Sequence, residues 1–357
     1  MHHTGGTESM DSGNISNRKI LGEIALRTLT WFIALALISA IPLLSCGKPP
    51  KKDTLPSKIL VIFAAGSKDD KSYNSTIWMG CQKIIEEYGI TMDVVEPKTQ
   101  EEAETELSNG LSRGVELVLI APRLLQDKVN ELALAYPQTN FVVFDSSIDQ
   151  PNVASYNFDN YSAGVLGGVL TGSSILKGEV GFIGCDQTQF TEEILRGFED
   201  GLQYSNPELA LLSETIPGGF SGSADEEKAR DLALKLYAQG CQVVFAPCGA
   251  ASQGVLAAAA ESHMLALGAD ANQNWVEMGY VLSSVTRALD RATYQALKSY
   301  LEGDFSGGRH DCGLSDSWIG IVRDKSNEKM LNPEIMQKVD EARQMLLTGK
   351  FNPQRPT

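Results

Sequence analysis

The chain has 357 residues, 43% hydrophobic and 21% charged, a length and composition that support two globular lobes and leave disorder only for the ends. Its formal net charge of −15, from 45 acidic against 30 basic side chains, argues against nucleic acid or another polyanion as partner. The acidity belongs to the globular part, because Arg18, Lys19 and Arg27 near the start are offset by Glu8, Asp11 and Glu23.

In chain order, the first signal is a targeting segment at 1–46. Basic residues precede an apolar stretch at 29–44, which runs into Leu43-Leu44-Ser45-Cys46 and then the polar Lys48-Pro49-Pro50-Lys51-Lys52. A basic start, an apolar run short for a membrane span and a small residue before a cysteine read as a lipoprotein signal peptide rather than a transmembrane anchor. Cleavage leaves Cys46 as the lipidated first residue and 47–57 as a linker. The protein is then held to a bacterial membrane on its periplasmic side, and several acyl chains anchor stably where one would not.

Beyond the linker, apolar runs closed by small or acidic residues occur at 59–66, 91–96, 117–122, 141–146 and 153–158. The succession recurs at 180–186, 210–215, 243–247, 265–270 and 281–287. Helical periodicity fills the gaps at 77–88, 103–113, 127–135, 192–203, 226–238 and 253–261. This alternation predicts an α/β protein of two Rossmann-like lobes, each with a parallel sheet of five strands. Ala121-Pro122 is matched by Ala246-Pro247 and Asp145 by Asp270, at one interval in the numbering. Two such echoes in corresponding strands favour lobes of similar build. An amphipathic helix at 288–301, a turn at 303–308, an apolar run at 318–322 and a helix at 333–347 follow. If the chain crosses between lobes more than once, 58–157 with 286–312 form the N-terminal lobe and 158–285 with 313–350 the C-terminal one. Several crossings make a hinge, and a cleft between hinged lobes can close on a ligand.

The remaining cysteines, Cys81, Cys185, Cys241, Cys248 and Cys312, show no Cys-x-x-Cys pair and no histidine cluster, so zinc and thioredoxin-like chemistry fail for spacing. Buried apolar thiols are the simpler expectation, with a disulfide left open by an oxidising compartment. His2 and His3 fall in the signal, and neither His263 nor His310 lies in a motif, so no nucleophile–base pair marks an enzyme. Asp69-Asp70 permits a magnesium-dependent nucleotide hydrolase only as a weak competitor. No resident metal or cofactor is expected.

The most informative stretch is Ala64-Ala65-Gly66-Ser67-Lys68-Asp69-Asp70-Lys71-Ser72-Tyr73-Asn74, directly after the first apolar run. Loops at the carboxyl ends of strands are where open α/β sheets bind ligands. Together with Gly249-Ala250-Ala251-Ser252-Gln253-Gly254, Leu267-Gly268-Ala269-Asp270 with Gln273, and Val281-Leu282-Ser283-Ser284 through Arg287, it resembles the basic membrane protein family over roughly 57–350. These are type I periplasmic-binding-protein-like lipoproteins that bind nucleosides for ABC transporters. The resemblance implies that Tyr73 stacks on a ring, that Asn74 hydrogen-bonds beside it, and that Phe220 covers the other face. It also assigns Asp270 and Arg287 to a sugar or polyol arm, with Ser72, Gly249 and Gln273 in the matching motifs, and it implies permease and ATPase partners.

Arg123, Asp145 and Phe190 join the candidate ligand-binding set as strand-end or loop residues of suitable chemistry. The chain departs from the family pattern at Ala64, where nucleoside receptors carry an aspartate, at Pro122-Arg123, where they carry a small residue, and at Ser162, where they carry a glutamate. Losing the acceptor for purine N–H donors lowers selectivity for purines. A larger ring with acceptor carbonyls fits better, and the resemblance extends to riboflavin-binding spirochaete members of the family. The expected ligand is therefore riboflavin, with a purine nucleoside as the alternative.

Overall fold

The computed structural model describes residues 59–353; the signal segment, Cys46 and the linker at 47–57 lie outside the described residues. Two six-stranded sheets organise the chain. The first contains β1 (Ile59–Ile62), β2 (Asp93–Val95), β3 (Leu117–Ile120), β4 (Asn140–Phe144), β5 (Val153–Phe158) and β11 (Gly308–Cys312), in the order β11-β5-β4-β3-β1-β2. The second contains β6 (Glu179–Gly184), β7 (Ala210–Thr215), β8 (Cys241–Phe245), β9 (Leu265–Asp270), β10 (Val281–Arg287) and β12 (Ile319–Ile321), in the order β12-β10-β9-β8-β6-β7. All neighbours are parallel except β10 and β12. Each sheet therefore has one strand more than the five expected, added late in the chain.

Period-two burial explains the layers. In the first sheet, Ile59 and Val61 of β1 face α1 (Tyr73–Tyr88) and α8 (Leu289–Glu302), through Ile77, Ile84, Ala292 and Leu297. Leu60 and Ile62 face α2 (Gln100–Ser112) and α3 (Gln126–Ala135), through Leu107, Leu111 and Val129. Both faces of a parallel sheet are covered, so its strands read as continuous apolar runs. In the second sheet, Val244 and Ala266 pack on α6 (Glu226–Ala238) and α7 (Ser252–Ser262). The opposite face, Phe182, Phe245 and Leu267, packs on α4 (Asn160–Ser174), α5 (Gln189–Ser205) and α9 (Pro333–Leu347). The chain passes between sheets three times: after β5, after β10 and between β11 and β12. At these crossings Asp159 N–H donates to Cys312 O at 3.1 Å and Ala288 N–H to Trp318 O at 2.8 Å.

Three features differ from the sequence expectation. The turn expected at 303–308 continues into β11, a polar edge strand. Helix α4 was not expected, because it is apolar on all sides and shows no amphipathic stripe. Helix α1 opens at Tyr73 rather than 77, because buried Asp70 accepts the N–H groups of Ser72 (2.8 Å), Asn74 (3.0 Å) and Ser75 (2.9 Å) and so satisfies its first turn.

Helices α4 and α5 meet through glycines. A Cβ on Gly168 would lie 2.2 Å from Phe198 O, and one on Gly197 would lie 2.1 Å from Tyr161 O. Gly168→Ala, which on an exposed helix would add stability, should instead lower the urea midpoint by the equivalent of about 1–3 kcal/mol. Gly313→Ala, whose Cβ meets nothing within 4 Å, should leave the midpoint unchanged; equal midpoints for the two variants would contradict this packing.

Candidate functional site

The carboxyl ends of the parallel strands in both sheets carry the site. After β1, the Asn74 amide holds the loop in shape: Oδ1 accepts Ala64 N–H at 3.1 Å, and Nδ2 donates to Ala64 O at 3.0 Å and Ser67 O at 3.4 Å. Ser72 and Gln273 tie this loop to the second sheet. Ser72 Oγ donates to Ala269 O at 3.0 Å, and Gln273 Nε2 donates to Lys71 O at 3.0 Å. Gln273 Oε1 accepts Ala269 N–H at 2.8 Å, so its amide is occupied at both ends. Burial pushes the Asp70 carboxyl up from its ordinary value, partly offset by the N–H groups it accepts.

At the centre is a buried guanidinium. Arg287, 2% exposed, donates from Nη1 to both Asp145 oxygens at 2.7 Å and to Asn160 Oδ1 at 3.2 Å, and from Nε to Asp270 Oδ1 at 2.7 Å. Asp145 ends its strand region in the first sheet and Asp270 ends β9 in the second, and both adopt left-handed backbone, with φ of 50° and 65°. The echo between these two residues is therefore structural: two matching strand ends converge on one cation. Arg287 Nη2 also lies 2.7 Å from Asp270 Oδ1 but makes no hydrogen bond of sound geometry.

A second pair crosses the cleft in the opposite sense. Arg123, in the short 3-10 turn Arg123–Leu125 after β3, places Nη2 3.3 Å from Asp186 Oδ2 at the end of β6, and Nη1 3.8 Å from Asp145. Its Nε is buried without a partner. Asp186 also accepts from Thr188 N–H at 3.2 Å, from Thr188 Oγ at 2.7 Å and from Thr191 Oγ. Burial would raise the Asp186 carboxyl, but Arg123 and these hydrogen bonds outweigh it and hold the group below its ordinary value. Burial likewise opposes the charges on Arg123 and Arg287, and their carboxylate partners more than restore them.

Aromatic rings shield this network. The Arg123 guanidinium lies 3.9 Å from the Phe190 ring centre and 5.2 Å from that of Tyr73; Arg287 lies 4.7 Å from Phe190 and 5.6 Å from Tyr73. Such contacts stabilise a cation most when water is excluded. Tyr73 Oη donates to Ala121 O at 2.9 Å, and burial raises its phenol well above the ordinary value. A small cavity of about 30 Å³ is lined by Ala64, Tyr73 and Arg123 from the first-sheet side and by Asp186, Phe220 and Gly249 from the second. Phe220 also packs into the apolar cluster of Leu60, Ile62 and Leu125. On the far side of Arg123, a larger space of about 330 Å³ is lined by Asp145, Asn160, Phe190 and Arg309 among others.

The structure thus brings Tyr73, Asn74, Arg123, Phe220 and Gly249 to the inner cavity, and joins Asp145, Asp270 and Arg287 in one ion cluster with Phe190 against it. Ser72 and Gln273 stand apart as bonds between the two halves. Sequence reasoning missed Asp186, Asn160 and Asp70. Asp186 carried a signal, since it closes its apolar run as Asp145 and Asp270 close theirs. Among the described residues no group of acidic, histidine or cysteine side chains could hold a metal ion.

Two sheets whose strand ends meet around a small polar cavity define a solute-binding protein. The chain belongs to the family described as ABC transporter substrate-binding protein PnrA-like, which matches residues 57–351. It is 26% identical over 317 residues to basic membrane protein A1 of Borrelia garinii subsp. bavariensis, covering 86% of this chain and 91% of that one. It is 24% identical over 362 residues to the CD4+ T-cell-stimulating antigen of Listeria monocytogenes, covering 92% and 99%. In fold it is similar to an ABC transporter solute-binding protein from Aeropyrum pernix K1, with a TM-score of 0.76, 20% identity and coverage of 82% and 91%. Proteins of this family bind solutes and are not enzymes; the bound molecule is cargo, and no cofactor is expected.

Removing the central cation should be costly. Arg287→Met leaves two buried carboxylates uncompensated and should cost about 3–5 kcal/mol in chemical denaturation; adding Asp270→Asn should restore part of that loss, and an unchanged midpoint would contradict the role given to Arg287. Asp186 supplies a pH dependence. Its lowered folded value means that its contribution is complete above the ordinary aspartate value and is lost as pH falls through the lower folded one. Thermal midpoints measured across that window should fall less steeply for Asp186→Asn than for the native protein, and parallel slopes would remove the assignment.

Proposed function

We propose that this chain is the lipid-anchored receptor of an ABC importer for a flat heterocycle with a hydroxylated arm, riboflavin ahead of a purine nucleoside. One observation carries the choice: the carboxylates of Asp145, Asp186 and Asp270 are all engaged by arginine, while the Arg123 Nε beside the cavity is a buried donor without a partner. Such a lining favours a ligand that brings acceptors, as the ring carbonyls of a flavin do, over one that brings amino donors. Ala64 supports the same reading by placing a methyl group where nucleoside receptors carry a carboxylate. The inner cavity, about 30 Å³, has room for little more than a water molecule, so a ring enters between Tyr73 and Phe220 only when the two halves part. Tyr73 and Phe220 both line it and offer aromatic faces for stacking. Gln126, Asn160 and Arg309, which line the space beyond Arg123, suit the hydroxyls of a ribityl arm, whereas Asp270 and Arg287, first expected there, are held by each other.

Acylation of Cys46, by palmitate or a related chain, would hold the receptor to the periplasmic side of a bacterial membrane, in keeping with relatives named basic membrane proteins. Its partners are then a permease and an ATPase. The lobes would comprise 58–157 with 286–312 and 158–285 with 313–350, which keeps the strands with their own sheets except for Phe158 at the end of β5 and Thr286 and Arg287 at the end of β10.

The protein purified from its own cells should release a flavin on denaturation, identified by mass spectrometry, and titration with riboflavin should quench flavin fluorescence. Tyr73→Ala and Phe220→Ala should each weaken binding about tenfold, since stacking contributes about 0.5–1.5 kcal/mol beyond the area buried. Absence of quenching, with tight binding of guanosine or adenosine, would replace riboflavin by the nucleoside. Undiminished affinity in both variants would remove the stacking arrangement.

A further inference from the structure

Five cysteines of the described residues are buried and unpaired, and two of them meet. Strands β6 and β8 are parallel neighbours with Phe182 opposite Phe245. That pair is the last of the register, and Cys185 and Cys248 each lie three residues beyond it. Cys248 Sγ donates to Ile183 O at 3.3 Å, two residues before Cys185 on the neighbouring strand, and the Cys185 thiol is near enough to perturb that of Cys248. Cys185 and Cys248 are 1% and 0% exposed and share the apolar cluster that includes Ile183, Val244 and Ala246. Cys81 sits in α1, Cys241 at the head of β8 and Cys312 at the end of β11.

We propose that Cys185 and Cys248 form a disulfide in the exported protein, locking together the ends of β6 and β8 beneath the cleft. Neighbouring strands lie about 4.8 Å apart, inside the Cα separation of about 4.4–6.8 Å that a disulfide spans. The Sγ–Sγ bond forms as two S–H bonds break. Two electrons and two protons pass to the disulfide of an extracytoplasmic thiol–disulfide oxidoreductase, which becomes a dithiol. Burial, reinforced by the neighbouring Cys185 thiol, pushes the Cys248 thiol well up. The buried Cys248 thiol therefore attacks slowly once folded, and the bond forms as the second sheet folds outside the cytoplasm.

The placement gives the bond a consequence for binding. Each cysteine directly precedes a residue of the cavity wall: Asp186 follows Cys185, and Gly249 follows Cys248. The disulfide holds the carboxylate that Arg123 meets across the cleft at a set distance from the loop that faces Tyr73.

The proposal rests on the periplasmic placement given above, and the experiment separates the two. Full-length protein is taken from its own cells with N-ethylmaleimide present, fractionated, unfolded in urea with more N-ethylmaleimide so that buried free thiols are blocked, and digested without reductant. Recovery in the membrane fraction with a Cys185–Cys248 linked peptide supports the disulfide. Recovery there with both cysteines alkylated overturns the disulfide and leaves the placement standing. Recovery in the cytosol overturns the placement and the oxidant with it. As a second readout, dithiothreitol should lower the thermal midpoint of the native protein by several degrees and leave that of the C185S/C248S variant unmoved; an equal response in both would also overturn the bond.

Discussion

Everything around the cleft depends on neutralising one buried cation. A guanidinium removed from water survives only where carboxylates replace its hydration, and Arg287 has one from each sheet. Asp145 and Asp270 reach it from matching strand ends, both with backbone in a region that non-glycine residues avoid at a cost of about 1–3 kcal/mol. Such strain persists because the ion cluster and the surrounding rings over-determine it. The duplication visible in the sequence is thus the requirement that two sheets of similar build each contribute a counter-charge to a shared centre.

The second pair follows from the first. Asp145 is shared: it binds Arg287 closely and stands 3.8 Å from Arg123. Arg123 then turns to Asp186 in the opposite sheet, so one ion pair runs from the second sheet to the first and the other runs back. Phe190, packed against both guanidinium groups, keeps water from the network and raises the strength of each contact. The unused hydrogen-bonding capacity of this assembly lies on the arginines. That imbalance, more than any single aromatic, sets the electrostatic character of the cleft.

Much of this fold was legible in the sequence, because a buried parallel strand is a short apolar run and its end carries a small or acidic residue. Asp145, Asp270 and Arg287 could be singled out by type and position. Their mutual pairing could not be read, since Arg287 lies 142 residues from Asp145 and 127 from Asn160. Helix α4 was hidden by its own burial: a segment covered on every side has no polar face and so no period. Strand β11 was hidden for the opposite reason, since an edge strand with Arg309, His310 and Asp311 shows no apolar run. The roles of Ser72 and Gln273 were also beyond pattern, because the same amide or hydroxyl serves a ligand or a neighbouring backbone equally well.

Arg287 is the final residue of β10, and Ala288, the next residue, already leads the chain across to α8 against the first sheet. The centre of the ion cluster and one of the three strands of the pivot are therefore a single piece of backbone. Rotation of one half against the other must turn the peptide that bears the guanidinium, and any pull on the guanidinium acts on the pivot with almost no lever arm between them. Charge centre and crossing strand are mechanically one element in this molecule.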